Sequence, residues 1–321
     1  MNELHVVLGA GQIGATLAQR LLARGKRVRQ VRRGQPDAAA AASSVEWVPG
    51  DVSDPAFAAE AMRGAAVAYD CVNPSYDEWP LLLPPLRRAV LEGAARSGAK
   101  LVQLDNVYML GLPSGPMTEE SPVAPVSKKG ALRAQLAEET LEASRRGDVR
   151  VAIARASDFY GPGIVRQTTF GPHFFERLVA GKAVYAFGDP DMPHSWAYGP
   201  DVAEGLARLG CASDDVWGQI WHLPHAPAVS THETMALVAG AMGYELRMQQ
   251  VPRWVLRTMG VFDSMLREVA EMTYQWTVPF VVDDAKWRAR FGDAVTPMTE
   301  GARAMARWAL AQYARGTAAA A

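Results

Sequence analysis

The segment at residues 125–139 carries basic side chains whose spacing could bind an anion or move a proton. It reads "PVSKKGALRAQLAEE" and contains Lys128, Lys129 and Arg133. Residues four apart share one face of a helix, so Lys129 and Arg133 are predicted neighbours. Like charges at this spacing cost a helix about 0.2–0.5 kcal/mol. The pair therefore indicates either a solvated basic face or a site that needs positive charge.

A glycine pattern near the start of the chain predicts a phosphate-binding loop. Gly9, Gly11 and Gly14 follow an apolar segment, "LHVVL", and precede an amphipathic helix. In a strand–loop–helix unit these glycines allow a tight turn, close approach of a pyrophosphate and packing of helix on strand. Gln12 and Ile13 complete the predicted loop. The helix amino terminus would attract the phosphate charge.

The end of the second predicted strand indicates which dinucleotide is bound. NAD sites usually place a carboxylate there for the ribose 2′-hydroxyl, whereas this chain has Arg32 and Arg33. Arginine offers a planar donor fork suited to a 2′-phosphate. The sequence therefore predicts NADP(H) in preference to NAD(H). Further cofactor contacts are expected from two dipeptides that follow strands, Asp51-Val52 beside the adenine and Asn73-Pro74 beside a ribose.

Alternating strands and helices surround these motifs. Strands are predicted at 4–8, 26–31, 45–51, 66–72, 100–108 and 149–157, with helices at 55–63, 82–98 and 128–146 among those between them. This order is typical of an α/β fold, a Rossmann-type doubly wound parallel sheet that binds ligands at the carboxyl ends of its strands.

Beyond residue 157 the alternation stops, and prolines, glycines and aromatic residues become frequent. We expect a smaller, mostly helical C-terminal substrate region there, with a helix at 200–210 and a strand at 217–223 returning to the main sheet. The predicted domains are an NADP-binding Rossmann domain at 1–157, to which 195–225 return, and a substrate-binding region at 158–194 and 226–321.

Composition narrows the class of protein. The 321 residues are 49% hydrophobic and 21% charged, with a net charge of −1, which disfavours nucleic acid or an anionic membrane as partner. Cys71 and Cys211 lack metal-ligand spacing, so no metal is expected and a reducing compartment is favoured. Without a signal peptide or a long apolar segment, we expect a cytoplasmic protein. Residues 36–44 and the chain end from Gly316 are expected to be mobile.

The order of further motifs points to a known family. The chain contains, in sequence, "NVYMLG", "TEESPVAPVS", "RASDFYGPG", "FGDPDMPHSWAYGPDVAEGL" and "FVVDDAKWRARFG". Together with the glycine loop, these segments resemble the extended short-chain dehydrogenase/reductase family, the NAD-dependent epimerase/dehydratase group, over nearly the whole chain. The resemblance implies an NAD(P)-dependent enzyme with a small-molecule substrate. It also implies a homodimer formed by the helices at 82–97 and 128–146.

The chain departs from the family pattern at the catalytic helix. The family carries Tyr-x-x-x-Lys there, and this chain has Lys129-Gly-Ala-Leu-Arg133. The family's partner serine falls on Leu104. The family's glycine loop is usually Gly-x-x-Gly-x-x-Gly. The loop of this chain has one residue fewer between its first two glycines. The usual catalytic residues therefore cannot be carried over, and the chain resembles an atypical member.

Lys129 and Arg133 can replace the missing pair in more than one way. Arg133 could hold the nicotinamide ribose, because its donors reach sugar hydroxyls. Lys129 could donate or accept a proton beside the nicotinamide, or act only through its charge; a solvated helix face is the remaining interpretation. Tyr108 is the alternative proton donor, and Asp105 could pair with Lys129.

The predicted substrate pocket is rich in aromatic side chains, which favours a flat and largely apolar or aromatic substrate. Each of these residues could instead belong to the core. The candidates are Tyr76, Trp79, Met109, Ser157, Asp158, Phe159, His194, Trp196 and Trp276.

Three functions are consistent with these residues. The first is an NADP(H)-dependent oxidoreductase acting on a small organic substrate, for which an aromatic compound is a candidate. The second is an epimerase or dehydratase that retains and reuses its cofactor. The third is a catalytically silent NADP(H)-binding sensor.

Overall fold

The structure is a computed structural model that describes residues 3–35 and 44–314. The segments predicted to be mobile are 36–44 and the chain end from Gly316. Apart from residue 44, they lie outside the described ranges. The described chain divides into two compact units. Unit 1 comprises residues up to Met109, Lys128–Ala156 and Val202–Leu223, and unit 2 comprises Leu110–Ser127, Ser157–Asp201 and Pro224 onwards.

Unit 1 contains a seven-stranded sheet, which confirms the predicted Rossmann-type α/β fold. Every pairing between its strands is parallel, in the order β11-β6-β5-β4-β1-β2-β3. The strands are β1 (Leu4–Leu8), β2 (Arg27–Arg32), β3 (Glu46–Pro49), β4 (Val67–Asp70), β5 (Lys100–Asp105), β6 (Val151–Arg155) and β11 (Gln219–His222). Because β1, β4 and β5 are neighbours and parallel, their carboxyl ends meet at one edge of the sheet.

The helices of unit 1 connect these strands. They are α1 (Gly14–Ala23), α2 (Pro55–Ala61), α3 (Trp79–Ser97), α4 (Lys128–Arg145) and α6 (Gly199–Gly210, from Val202 onwards in this unit). A buried apolar layer packs them on the sheet, with β1 buried along its whole length and Leu17 and Leu21 of α1 fully buried. Burying an aliphatic side chain of this kind contributes about 1.5–3 kcal/mol.

The helix α3 begins three residues earlier than the predicted start at residue 82 and passes through Pro84 and Pro85. Its first residue, Trp79, is buried, and the indole Nε1 donates to the carbonyl oxygen of Pro74 at 3.1 Å. This anchored first turn sets the helix start. Pro80, the second helical residue, is tolerated because an N–H group there has no helical partner, whereas Pro84 and Pro85 lie inside the helix and each removes one helical hydrogen bond.

Unit 2 combines short strands with helices. Its strands β7 (Asp158–Tyr160), β8 (Val184–Phe187), β9 (Pro193–His194), β10 (Trp196–Tyr198), β12 (Val229–Ser230) and β13 (Met248–Val251) form three two-stranded sheets. Its helices are α5 (Pro172–Val179), α7 (Thr231–Met242), α8 (Arg253–Met259), α9 (Ser264–Met272), α10 (Ala285–Phe291) and α11 (Met298–Tyr313). A core of aromatic and aliphatic side chains, including Phe170, Phe175 and Met305, packs α5, α7 and α11 together.

Across 3–35 and 44–314, no helix is both long and apolar enough to cross a membrane. Within the same ranges, no three His, Cys, Asp or Glu side chains are grouped so that they could hold a metal ion.

A buried histidine lies in the central strand of unit 1. His5 is fully buried in β1, and its Nδ1 lies 2.8 Å from the hydroxyl oxygen of Tyr69 on β4. Its Nε2 lies 3.8 Å from the carboxylate of Glu3. Burial, with a further contribution from the charge of Lys26, lowers the pKa of His5 to about 4. The native state therefore holds this ring neutral well below the pH at which an unfolded chain protonates it.

We expect acidification to destabilise the protein through His5. Between an unfolded pKa of about 6.5 and the folded pKa of about 4, the unfolded chain binds the proton and the native chain does not. The free energy of unfolding should thus fall by up to about 3 kcal/mol as the pH is lowered through this window. Urea titrations of wild type and His5→Gln at several pH values measure it.

The variant should lose less stability over that pH range than wild type. His232→Gln is the control, because His232 is an exposed side chain in unit 2. An identical pH dependence in wild type and His5→Gln would contradict the assignment.

Candidate functional site

The loop after β1 has the geometry of a phosphate-binding turn. Gly9 has a φ of +99°, which favours glycine. A Cβ at Gly14 would lie 2.1 Å from the carbonyl oxygen of Gly9, whereas a Cβ at Gly11 would meet no atom within 4 Å. Ile13, at the amino end of α1, provides no side-chain cap. The loop is closed tightly at Gly9 and Gly14 and open above Gly11, a shape that fits a dinucleotide pyrophosphate.

The predicted adenosine contacts lie at the ends of β2 and β3. Arg32 is half-buried and lies opposite Pro49 in the parallel register of β2 and β3. Arg33 is exposed. Asp51 is exposed and Val52 is buried. Hydrogen bonds from Ser53, with a smaller contribution from the charge of Arg33, lower the pKa of Asp51. A carboxylate thus lies within electrostatic reach of the arginine that was predicted to bind a 2′-phosphate.

Arg133 connects the carboxyl ends of β4 and β5. Its Nη1 donates to Oδ1 of Asp105 at 3.1 Å, and its Nη2 donates to Oδ1 of Asn73 at 2.6 Å. The guanidinium carbon lies 4.2 Å from the ring centroid of Trp79. Only 4% of Arg133 is exposed, and its Nε has no hydrogen-bond partner. Arg133 therefore links the ends of these two strands, and its Nε–H group remains a donor that a ligand could use.

Charged side chains are concentrated at this edge of the sheet. Asp105, the last residue of β5, is buried and also lies 3.9 Å from Nε of Arg155. Asp70, the last residue of β4, forms a buried ion pair with Arg87. Burial lowers the pKa of Arg133, and the carboxylate of Asp105 opposes that effect. Arginine stays protonated in proteins, so Arg133 is a fixed positive charge.

Lys129 lies one helical turn before Arg133, on the same buried face of α4. Only 4% of Lys129 is exposed, whereas Lys128 beside it is exposed. The Nζ of Lys129 lies 5.3 Å from the ring centroid of Tyr76, within range of a cation–π interaction. The interpretation of the segment as a solvated basic face therefore fits Lys128 and does not fit Lys129.

Two tyrosines meet beside these cations. The hydroxyl oxygens of Tyr76 and Tyr108 are 2.7 Å apart. The ring of Trp79 makes an edge contact with Tyr76 and a stacked contact with Tyr108. The structure thus brings predicted cofactor residues (Asn73, Lys129, Arg133) and predicted substrate residues (Tyr76, Trp79) into one cluster with Tyr108.

The remaining predicted substrate residues are Met109 in unit 1 and six residues in unit 2. Met109 is fully buried in unit 1, directly after Tyr108. The others belong to unit 2, where Ser157 is buried and Phe159 is half-buried on β7. His194 is fully buried, and its Nε2 lies 3.0 Å from Oδ2 of Asp158. The ring centroids of Trp196 and Trp276 lie 4.7 Å and 5.3 Å from that of His194.

The sequence did not predict the partners of Arg133. Asp105 was considered as a partner for Lys129, and the structure shows it hydrogen-bonded to Arg133. The packing of the Arg133 guanidinium on Trp79 was not foreseen either. A usable signal was present, because β4 and β5 both end in aspartate, and buried carboxylates at a shared sheet edge require cationic partners.

We expect Asp105→Asn to destabilise the protein strongly. It would leave Arg133 and Arg155 buried without the carboxylate between them, at a cost of about 3–5 kcal/mol. Glu139→Gln, on α4, removes the exposed ion pair with Arg88 and should cost far less. Denaturant unfolding of both variants measures the difference. Equal stability of the two variants would contradict the assigned role of Asp105.

Solved structures resemble the whole chain. WbmH of Bordetella bronchiseptica, in complex with NAD+, is 18% identical with a TM-score of 0.75, covering 98% of this chain and 99% of its own. UDP-glucuronic acid 4-epimerase of Bacillus cereus, in complex with NAD, is 15% identical with a TM-score of 0.77, covering 97% and 99%. At such low identities, the TM-scores show a shared fold and no more. No curated protein sequence matches the chain.

A third solved structure is a double mutant of DesIV, a dTDP-glucose 4,6-dehydratase from Streptomyces venezuelae, with NAD and DAU bound. It is 20% identical with a TM-score of 0.77, and the match covers 98% of both chains.

The predicted preference for NADP(H) is wrong. All three solved structures hold NAD or NAD+, which points to NAD. Arg32 and Arg33 favour a 2′-phosphate in the sequence because no carboxylate adjoins them there. In the structure the charge of Asp51 interacts with that of Arg33, and a 2′-phosphate placed there would meet this negative charge.

One family model matches residues 5–220, which include the phosphate loop, all seven strands of the sheet apart from the ends of β1 and β11, and the helix that carries Lys129 and Arg133. Its description is the NAD dependent epimerase/dehydratase family. The chain belongs to this family of enzymes.

Proposed function

We propose that the protein transfers a hydride between NAD and a carbon that bears a hydroxyl or carbonyl group in a small organic substrate. The observation that carries this proposal is the buried pair Lys129 and Arg133 at the sheet edge where the glycine loop also lies. Positive charge kept out of water at that place stabilises negative charge that develops on a reacting oxygen.

NAD is the cofactor that the residues of unit 1 fit. The loop from Gly9 to Gly14, with Gln12 and Ile13, would hold the pyrophosphate, and Asp51 and Val52 would lie near the adenosine. Asn73, Pro74 and Arg133 would contact the nicotinamide ribose. When bound, NAD accepts or supplies the hydride. Everything else in the reaction depends on side chains of the protein.

Lys129 has two candidate roles at the reacting atoms. As an acid or base it would exchange a proton with the substrate oxygen, which requires its neutral form during the cycle. As a fixed charge it would remain an ammonium and stabilise the oxygen and the cofactor ribose. The two roles differ in one measurable respect, because arginine can supply a fixed charge and cannot act as the acid or base.

Two classes of compound are candidates for the substrate. Sugar nucleotides are favoured by analogy with the solved neighbours, which include a UDP-glucuronic acid epimerase and a dTDP-glucose dehydratase. The aromatic substrate favoured by the sequence is the second class. With a sugar nucleotide, the hydride would return to the substrate and the net reaction would be an epimerisation or a dehydration.

A catalytically silent NAD sensor is the competing function, since the usual Tyr-x-x-x-Lys is replaced. Such a protein would bind NAD and convert no substrate. A panel of UDP- and dTDP-sugars, carbonyl compounds and enones separates these functions. NADH absorbance detects net oxidoreduction, and chromatography with mass spectrometry detects products formed without a net change in cofactor. NAD binding with no product from any class would favour the sensor.

We expect Gly11→Ala to weaken NAD binding without unfolding the protein. The added methyl group meets no protein atom within 4 Å, so the thermal stability should remain that of wild type. The same methyl group would occupy space needed by the pyrophosphate, and the affinity for NAD should fall by at least about tenfold. Calorimetric titration with NAD+ measures this change, and unchanged affinity would contradict the proposed binding loop.

We expect Lys129→Met to lower kcat by about 10²–10⁴-fold on any substrate that wild type converts, because the buried positive charge is lost. Lys128→Met is the matched control, since it makes the same change at an exposed neighbour, and it should leave kcat unchanged. Wild-type turnover by Lys129→Met would exclude Lys129 from the reaction.

Lys129→Arg distinguishes the two roles. Activity similar to Lys129→Met indicates an acid or base, whereas partial recovery indicates a fixed charge.

A further inference from the structure

We propose that Tyr76 and Tyr108 form a proton-carrying pair and that the hydroxyl group of Tyr76 exchanges the proton with the substrate. This inference builds on the proposed function, in which hydride transfer requires a partner that gives or takes a proton. The tyrosine absent from α4 would then be supplied by Tyr76, from the turn that follows β4.

The contact between the two hydroxyl groups is the first observation. Their oxygens lie 2.7 Å apart, a normal distance for an O–H···O hydrogen bond, and either oxygen can be the donor. Tyr76 is half-buried and Tyr108 is only 5% exposed. Tyr76 is therefore the outer member that a ligand can reach, and Tyr108 is the inner member that receives or returns a proton.

Positive charge beside the pair is the second observation. The Nζ of Lys129 lies 5.3 Å from the ring centroid of Tyr76, and the charge of Arg133 interacts with both phenol groups. Asp105 offsets part of the Arg133 charge from β5, and Asp77 and Glu78 are exposed carboxylates on the turn that contains Tyr76. Two buried cations adjoin the pair, so negative charge on a phenol oxygen is favoured there.

Rigid placement of the rings is the third observation. Trp79 makes an edge contact with Tyr76, with centroids 5.1 Å apart, and stacks on Tyr108 at 6.4 Å. Its own Nε1 is fixed by the carbonyl oxygen of Pro74. Because Arg133 packs on the same indole, a single side chain positions both tyrosines and one of the cations.

The proton balance is as follows for reduction of a carbonyl. The substrate carbon receives the hydride, and its oxygen takes the proton from the Tyr76 hydroxyl, so the Tyr76 O–H bond breaks. Tyr108 passes its proton to the Tyr76 oxygen along the 2.7 Å hydrogen bond. After the product leaves, solvent returns one proton to Tyr76, which passes its own proton back to Tyr108 along the same hydrogen bond. For oxidation of an alcohol each proton moves in the opposite direction, and Lys129 remains an ammonium throughout.

A titration of the phenol groups tests the pair without any substrate. Ultraviolet absorbance of the nine tyrosines follows their ionisation as the pH is raised. In wild type we expect one phenol to ionise at lower pH than the rest, and we expect this early step to vanish in Tyr76→Phe and shift upward in Lys129→Met. Tyr185→Phe is the control, because a cation, Arg177, also lies over the Tyr185 ring, at 4.1 Å.

The control variant should retain the early step. A wild-type protein without an early-ionising phenol, or a Tyr76→Phe variant that keeps it, would overturn the proposal. Circular dichroism of each variant establishes that the fold is retained during the titration.

Kinetics provides a second readout once a substrate is converted. Tyr76→Phe should lower kcat by about 10²–10⁴-fold with NAD affinity unchanged, and it should remove one limb of the pH–rate profile. Full activity with an unaltered pH profile would also overturn the proposal. Failure of the proposed function has a different result, namely no NAD binding or no product in wild type, and that result leaves the phenol titration intact as a test.

Discussion

The hydrogen bonds and stacking of Arg133 are the interaction on which the candidate site depends. One guanidinium joins Asp105 at the end of β5 to Asn73 after β4, and it packs on the indole of Trp79. All of these groups are at the carboxyl edge of the sheet. Burying a guanidinium is costly unless its charge is balanced by a close partner, so the positions of its neighbours are tightly restricted.

That restriction gives the family departure a physical interpretation. In the usual motif a tyrosine and a lysine share one helix face. Here the helix supplies two cations, Lys129 and Arg133, and the aromatic hydroxyl groups come from the turns that follow β4 and β5. Arginine can make two directed hydrogen bonds and stack on a ring at the same time, which lysine cannot. The two cations and the two phenol groups of the candidate site therefore come from three different parts of the chain.

Much of the fold could be predicted from the sequence because the relevant signals are local. The predicted β1 matches the observed Leu4–Leu8, and the strand expected at 217–223 is β11 of the main sheet. Strand ends were less accurate where side chains stop the strand. The strand predicted to reach 108 ends at Asp105, and Oδ1 of Asn106 accepts a hydrogen bond from the backbone N–H of Tyr108.

The sequence could indicate which residues lie together at the candidate site, but it could not indicate their contacts. Lys129 and Arg133 were recognised from their spacing, but the partners of Arg133 lie 28 and 60 residues away along the chain. No periodicity encodes such long-range contacts. The cofactor preference failed for a related reason, since the carboxylate that adjoins Arg33 is on a different strand end.

We propose that Arg133 and its partners form one assembly at the place of the family's usual catalytic pair. The most direct measurement is the free energy of unfolding of the double variant Lys129→Tyr with Arg133→Lys, which writes the family motif into this chain. Because lysine cannot hold Asn73 and Asp105 while stacking on Trp79, the account predicts a loss of about 3 kcal/mol or more relative to wild type. A double variant as stable as wild type would contradict the account.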